Sequence, residues 1–259
     1  MMYVEKDDFR QIYVISKNEM RKFIRGKRFL IYVILAAAMF SLITFLPYAL
    51  GGSLENMNKY LTNNFQFVSF LVVLAATLFI SSTYVSEFEE RTALILFTRP
   101  VKKTTIYIGK FIGCFIMEAV VLIGYYAAMA AGYLFLSDTP SAGQYLASLG
   151  CLLIFLFAAT AFSAVFSVTM KRSGTAAIMT FVTILFLLSI VSGVIIISTG
   201  TTPWYMLDQA SNAVYATIPG VAANLGLVDF DLALGIAVMI VWGAVATVLS
   251  WFLFTRKEM

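Results

Sequence analysis

The chain has 259 residues, of which 61% are hydrophobic and only 12% charged, and its mean hydropathy is +0.89. Soluble domains carry roughly 25% charged residues, so this chain has about half the charge a globular surface needs, which excludes an ordinary cytosolic enzyme, a disordered protein and a nucleic-acid binder. Net charge is +4 and histidine is absent, removing the commonest general base and metal ligand. The two cysteines, Cys114 and Cys151, sit in separate apolar runs with neither zinc nor disulfide-framework spacing.

Residues 1–28 predict an amphipathic helix. Phe9, Ile12, Tyr13, Met20, Phe23 and Ile24 form one stripe at helical spacing, and Arg10, Lys17, Arg21, Arg25 and Arg28 gather on an adjoining face. Such a helix can lie flat on the inner leaflet with its basic residues among anionic headgroups. A solvated basic tail is the plainer alternative.

A bilayer-spanning helix needs about 20 mostly apolar residues. The gaps between charges hold six, at about 29–50, 65–85, 112–136, 145–170, 175–198 and 232–254. The expected fold class is therefore an all-α membrane protein, with residues 29–259 forming a six-helix transmembrane domain. The first apolar run is longer than the roughly 7–15 residues of a signal-peptide core and follows a substantial tail, so it reads as a permanent helix.

Lysine and arginine set the orientation. Eight of the eighteen lie in the N-terminal tail, and Arg91, Arg99, Lys102, Lys103 and Lys110 follow the second span. Lys171 and Arg172 occupy the turn before the fifth span, and Arg256 and Lys257 end the chain. The alternate loops hold only Lys59. Both termini are accordingly expected in the cytoplasm, at the cell membrane.

The stretch Ser86 to Lys110 is the most unusual outside the spans. It opens with Glu87, Glu89, Glu90, Arg91 and Thr92, passes through the apolar patch Ala93 to Phe97, and breaks at Thr98-Arg99-Pro100. A plain connection has no reason to present Leu94, Ile95, Leu96 and Phe97 to cytosol, so this piece lies on the membrane or against a partner protein. Glu118 is the one ionisable residue well inside a span, about 12 Å along the helix from Lys110. A charge at mid-membrane costs about 2.5–3.5 kcal/mol on insertion scales, so Glu118 faces protein or water. It either lines a pathway or dimer interface, or hydrogen-bonds a neighbouring span's Ser, Thr or Tyr. Gly109 to Gly113 matches G-x-x-x-G, a weak packing signal with Lys110 inside it.

Between the fifth and sixth spans, Thr201/Thr202 before Pro203 reads as a helix start. Trp204, Leu207, Ala210, Val214 and Ile218 follow at helical spacing until Pro219-Gly220 breaks the run, and Val221 to Leu227 forms a second apolar piece. Two short apolar helices here form either a re-entrant hairpin buried in protein or a surface-lying element anchored by Trp204 and Tyr205. The twelve methionines are scattered with no Met-x-x-Met pair in a span, so they read as packing or lipid-facing residues rather than a Cu(I) pathway.

Taken together, Glu87, Thr92, Leu94, Leu96, Thr98-Arg99-Pro100 and Gly109-Lys110, with six spans and an amphipathic N-terminal helix, resemble the permease subunit of an ATP-binding-cassette (ABC) transporter of the type-2 export family. Arg91 stands where that family usually has glycine, and Lys171-Arg172-Ser173-Gly174 is also similar to it. The resemblance implies that the short helix between the second and third spans is a coupling helix seated in the ATP-binding subunit. Glu87, Glu89, Glu90, Arg91, Thr92, Leu94, Leu96, Arg99 and Pro100 would make that contact, with Lys171 and Arg172 as a secondary cytoplasmic contact. It further implies two ATP-binding subunits carrying ATP and Mg, a second permease subunit as homodimer or heterodimer, and surrounding membrane lipids. The element before the last span, with Trp204, Pro219 and Gly220, would cap the pathway as an external gate. The chain itself carries no G-x-x-x-x-G-K-[ST], so ATP is expected to be bound in trans; the chain is also expected to hold no cofactor or metal, to bind no nucleic acid, and to be a transport subunit rather than an enzyme. An ion-coupled secondary transporter or a channel is the alternative, against which stands the single intramembrane carboxylate.

Overall fold

The structure, a computed structural model, describes residues 6–49, 57–89, 101–134 and 140–256. Among these the chain is helix and turn, with no strand. Helix α1, Lys6–Arg25, is followed past Gly26 by α2, Lys27–Ala49. Helix α3, Met57–Leu78, continues through the single turn α4, Ile80–Thr83, and the short α5, Val85–Glu89. Then come α6, Lys103–Ala130, and α7, Ala142–Thr169. Helix α8, Ser173–Val182, passes through a π-helical turn at Thr183–Leu187 into α9, Leu188–Thr199. The short α10, Leu207–Ala210, α11, Ala213–Ala216, and α12, Pro219–Asn224, precede the long α13, Leu232–Arg256.

Among the described residues, six helical stretches are long and apolar enough to cross a membrane: Lys27–Pro47, Lys59–Glu87, Lys103–Ala130, Ala142–Thr169, Ser173–Thr199 and Leu232–Arg256. The third of them starts at Lys103 rather than near 112, because Lys110 is neutralised inside the protein and the helix runs on through it. The second is the inner helix, with 78% of its apolar window buried, against 17% for the first and 22% for the fifth.

In lipid no hydrophobic force drives apolar helices together, so close approach through small residues and interhelical hydrogen bonds takes its place. The sixth span lies on the fourth at Gly243, where a Cβ would stand 2.5 Å from the Phe157 ring and 3.3 Å from the Ala158 Cα. Ser163 donates to the Ala76 carbonyl at 3.1 Å, and the Tyr84 N–H donates to Ser167 Oγ at 3.1 Å, tying the fourth span to the second. The fourth span begins with a capping box, in which Ser141 Oγ accepts from the Gln144 N–H and Gln144 Oε1 accepts from the Ser141 N–H. The fifth ends at Gly200, whose φ of 68° is the left-handed cap that glycine adopts without strain.

The predicted apolar stripe of α1 is divided between two surroundings. Phe23 is buried, its ring edge-on to Phe79 at 4.9 Å, whereas Phe9, Tyr13 and Ile24 point outward beside the basic residues. Among the described side chains of α1, those buried besides Phe23 are Asp8, Ser16 and Glu19.

The segment between the fifth and sixth spans departs from its expected outline. Leu207, Ala210, Val214 and Ile218 are buried as the spacing implies, but helix begins at Leu207, and a turn at Ser211-Asn212 splits the run. Pro219 occupies the first turn of α12, so it starts a helix as well as ending the previous stretch. These pieces pack into one end of the bundle. Ser148 donates to the Val214 carbonyl at 2.7 Å, Asn224 donates to Thr62 at 3.1 Å, and Tyr215 hydrogen-bonds Ser69. Irregular backbone is thereby covered by protein, as an apolar medium requires.

Candidate functional site: a charged joint at the basic end of the bundle

The lysine- and arginine-rich end of the bundle is where α1, α5 and α6 meet. Helix α6 presents Gly109 and Gly113 to α1. A Cβ at Gly109 would stand 2.8 Å from Ile15 Cβ, and one at Gly113 would stand 3.0 Å from both Glu19 Cβ and the Ser16 carbonyl oxygen. Only glycine permits this approach. Ser16 Oγ donates to the Gly109 carbonyl at 2.7 Å, which fixes the register of the two helices.

Between the two glycines, Lys110 points inward and is 1% exposed. Its ammonium donates to Glu19 Oε1 of α1 at 2.7 Å and is ion-paired with Glu87 Oε1 of α5. One cation thus bridges two carboxylates from different elements. Burying an ion pair is costly, and removing one partner typically costs about 3–5 kcal/mol because a charge is left uncompensated. The glycines permit the close contact, and the hydroxyl and the ion pairs select one arrangement of it. Beside it, Tyr84 stacks on Tyr107 at 5.1 Å and donates to the Tyr107 carbonyl at 2.9 Å, which ties α6 to the turn between α4 and α5.

Adjacent contacts extend the joint. Lys102 pairs with Asp8 of α1 at 2.8 Å, and Lys103 donates to the Thr255 carbonyl at the end of α13 at 3.2 Å. Arg28 donates to Ser82 Oγ. Glu89 Oε2 accepts from the Ser173 N–H at 3.0 Å, so a carboxylate from α5 caps the first turn of α8, where helix ends favour negative charge. The hydrogen bonds from Ser173, with Arg172 and Arg28 nearby, hold the Glu89 carboxyl below the usual carboxylate range.

Of the residues expected to contact a partner, Glu87 is turned inward onto Lys110 and Glu89 onto Ser173. Glu90, Arg91, Thr92, Leu94, Leu96, Arg99 and Pro100 lie outside the described residues. Lys171 and Arg172 are exposed in the turn next to Glu89. Glu118 is fully buried, and Thr160 Oγ1 of the fourth span donates to its Oε2 at 2.6 Å. Its Oε1 has no hydrogen-bond partner among the described residues. Trp204 and Pro219 are exposed and Gly220 partly so, at the opposite end of the bundle from Lys110.

Sequence reasoning did not single out Asp8 or Glu19, and it read Lys110 as an edge of the third span. The usable signal was G-x-x-x-G with a lysine inside it, because a lysine between two contact glycines must be paired by whatever helix docks there.

Comparison with known proteins agrees with this architecture. A family model described as ABC-2 family transporter protein matches residues 15–192, well over half the chain, and the chain belongs to this family. It is a multi-pass membrane protein and a permease-type transport subunit, of a class that works with an ABC ATP-binding partner. The matched stretch includes Glu19, Glu87, Lys110, Glu118 and the turn at Lys171-Arg172. No curated protein matches the chain.

Proposed function

We propose that this chain is the export permease of an ABC transporter, coupling ATP hydrolysis on a separate subunit to movement of cargo across the cell membrane. Family membership over residues 15–192 is the observation that carries this reading. In it, both termini and the charged joint face the cytoplasm, in keeping with seventeen of eighteen lysines and arginines on that side. The segment from Glu87 to Pro100 acts as the coupling helix, its apolar centre and charged rim being the composition of a protein interface. Lys171 and Arg172 form a second contact beside it.

Two ATP-binding subunits, holding ATP and Mg, and a second permease subunit complete the working unit. The first and fifth spans, which leave most of their apolar surface uncovered, face the second permease and lipid. The packed segment from Leu207 to Asn224, with Trp204, Pro219 and Gly220, caps the far end of the pathway.

The test is purification of the tagged chain from its native host. An ATP-binding subunit is expected to accompany it. A chain that comes alone and moves cargo down an ion gradient would sink the reading in favour of a secondary transporter.

A further inference from the structure

We propose that Glu118 is a proton-binding site in the middle of the bundle: its carboxyl is a neutral acid at neutral pH, and the third and fourth spans close on each other with that proton in place. This goes beyond the transport role above and does not depend on it.

Glu118 is 0% exposed on α6. Its Oε2 accepts from Thr160 Oγ1 of α7 at 2.6 Å, and its Oε1 has no hydrogen-bond partner among the described residues. The titratable groups within electrostatic reach are Tyr32 of α2 and Cys114, one turn back on α6. Both are engaged elsewhere. Tyr32 donates to the Leu71 carbonyl at 3.1 Å, and Cys114 shares a hydrogen bond with Thr83 of α4 at 3.2 Å.

No cation reaches the carboxyl either. The nearest along α6 is Lys110, eight residues and about 12 Å away, and Glu19 and Glu87 already hold it. The described lysines and arginines of α1, α2, α3 and α13 are exposed, and α4, α5 and α7 contain none.

A carboxylate survives burial when a cation or two to three donors compensate it, and Glu118 has one hydroxyl. An uncompensated buried charge costs more than an unmade hydrogen bond, so the group takes the smaller penalty by keeping its proton. The acid form then has Oε2 as the carbonyl oxygen on Thr160 and Oε1 as the hydroxyl. Once unfolding exposes the carboxyl to water at neutral pH, the proton leaves. The folded bundle therefore holds one proton more than the unfolded chain, and its stability falls as pH rises.

The experiment uses the full chain as purified, in an ester-free detergent, with infrared difference spectroscopy of wild type against Glu118→Gln at neutral pH. The C=O stretch of a carboxylic acid is expected in the wild type and lost in the variant. Thr160→Val keeps the band but moves it to higher wavenumber, because the carbonyl oxygen loses its donor. In thermal melts between about pH 7 and about pH 9, the wild-type folding equilibrium falls relative to that of Glu118→Gln by up to about tenfold per pH unit.

Absence of the acid band from the wild type overturns the proposal, as does a band that persists in Glu118→Gln. An equal response of the two proteins to alkaline pH overturns it as well. Should Glu118→Gln fail to fold, Thr160→Val decides: a band shifted upward supports the proton site, and an unmoved or absent band overturns it.

Discussion

Gly109→Ala tests the joint most directly. The added methyl group would sit 2.8 Å from Ile15 Cβ and Cγ2 and 3.2 Å from the Ile12 carbonyl oxygen. Carbon pairs settle at about 3.5–4.0 Å, so α1 must retreat by about 1 Å. That retreat disturbs the 2.7 Å bond from Ser16 to the Gly109 carbonyl and the 2.7 Å contact of Glu19 with Lys110. Overpacking costs about 1–3 kcal/mol and the weakened hydrogen bond about 1 kcal/mol. Alanine returns up to about 1 kcal/mol through its better helix propensity, so α1 docking should lose about 1–3 kcal/mol. Gly124→Ala on the same helix is the control, because nothing lies within 4 Å of a Cβ there, and it should be neutral or slightly stabilising. Thermal unfolding in detergent, followed by size-exclusion fluorescence, measures the global effect, and limited proteolysis of the N-terminal helix measures the local one. Equal behaviour of the two alanine variants in both assays would refute the close-approach argument.

Thr160→Val removes the hydroxyl that donates to Glu118 Oε2 at 2.6 Å and leaves a buried carboxyl without that partner, so it should cost about 1–3 kcal/mol. Glu118→Gln keeps an acceptor at that position and should cost less, and a reversed order in thermal melts would show that the Thr160 bond is not what settles this residue. For Glu89 the folded-state pKa is lowered below the ordinary 4.5. The capping contribution is therefore present above that value and lost as pH falls through the lowered one. Melting curves of wild type and Glu89→Gln should differ by a constant amount at pH values well above 4.5 and converge as pH falls through the lowered value, and a gap that widens on acidification would contradict the cap. On the proposed coupling role, Leu96→Glu should abolish association with the ATP-binding subunit while the bundle still runs as a folded species, and retained association would count against that segment as the docking site.

The six spans were legible because their signal is one of length and composition, which packing cannot conceal. The family likeness was legible because Glu87 to Lys110 concentrates unusual residues in a short stretch. The joint was not legible, because Lys110 and Glu19 are separated by 91 positions and Lys110 and Glu87 lie on different helices. A lone lysine in an apolar helix reads as the place where a span ends, which is why the third span was expected to begin near 112 rather than at Lys103. The partner of Glu118, Thr160, is likewise 42 positions away. Between the fifth and sixth spans the buried set Leu207, Ala210, Val214 and Ile218 followed from spacing. The Ser211-Asn212 turn did not, since two small polar residues fit a helix interior or a turn equally well.

The placement of the buried charges has a reason in the physics of the apolar phase. Without a hydrophobic force between helices, α1 has little to set its register against α6 beyond shape and polar contact. The glycines allow contact but are nearly symmetrical to sliding, because each offers only a notch. An ion pair is not symmetrical: a slip of one helical turn, about 5.4 Å, would carry Glu19 out of reach of Lys110 and leave its carboxylate without that cation. Such pairs contribute more to selecting one arrangement than to stability. At mid-bundle the same selection would require a full charge in hydrocarbon with no second partner, whereas at the basic end Glu87 still pairs Lys110 when Glu19 is displaced. Register is thus enforced where the penalty is large enough to discriminate and small enough for the chain to insert, and that is also where α5 and the start of α6 must hold a fixed geometry relative to α1.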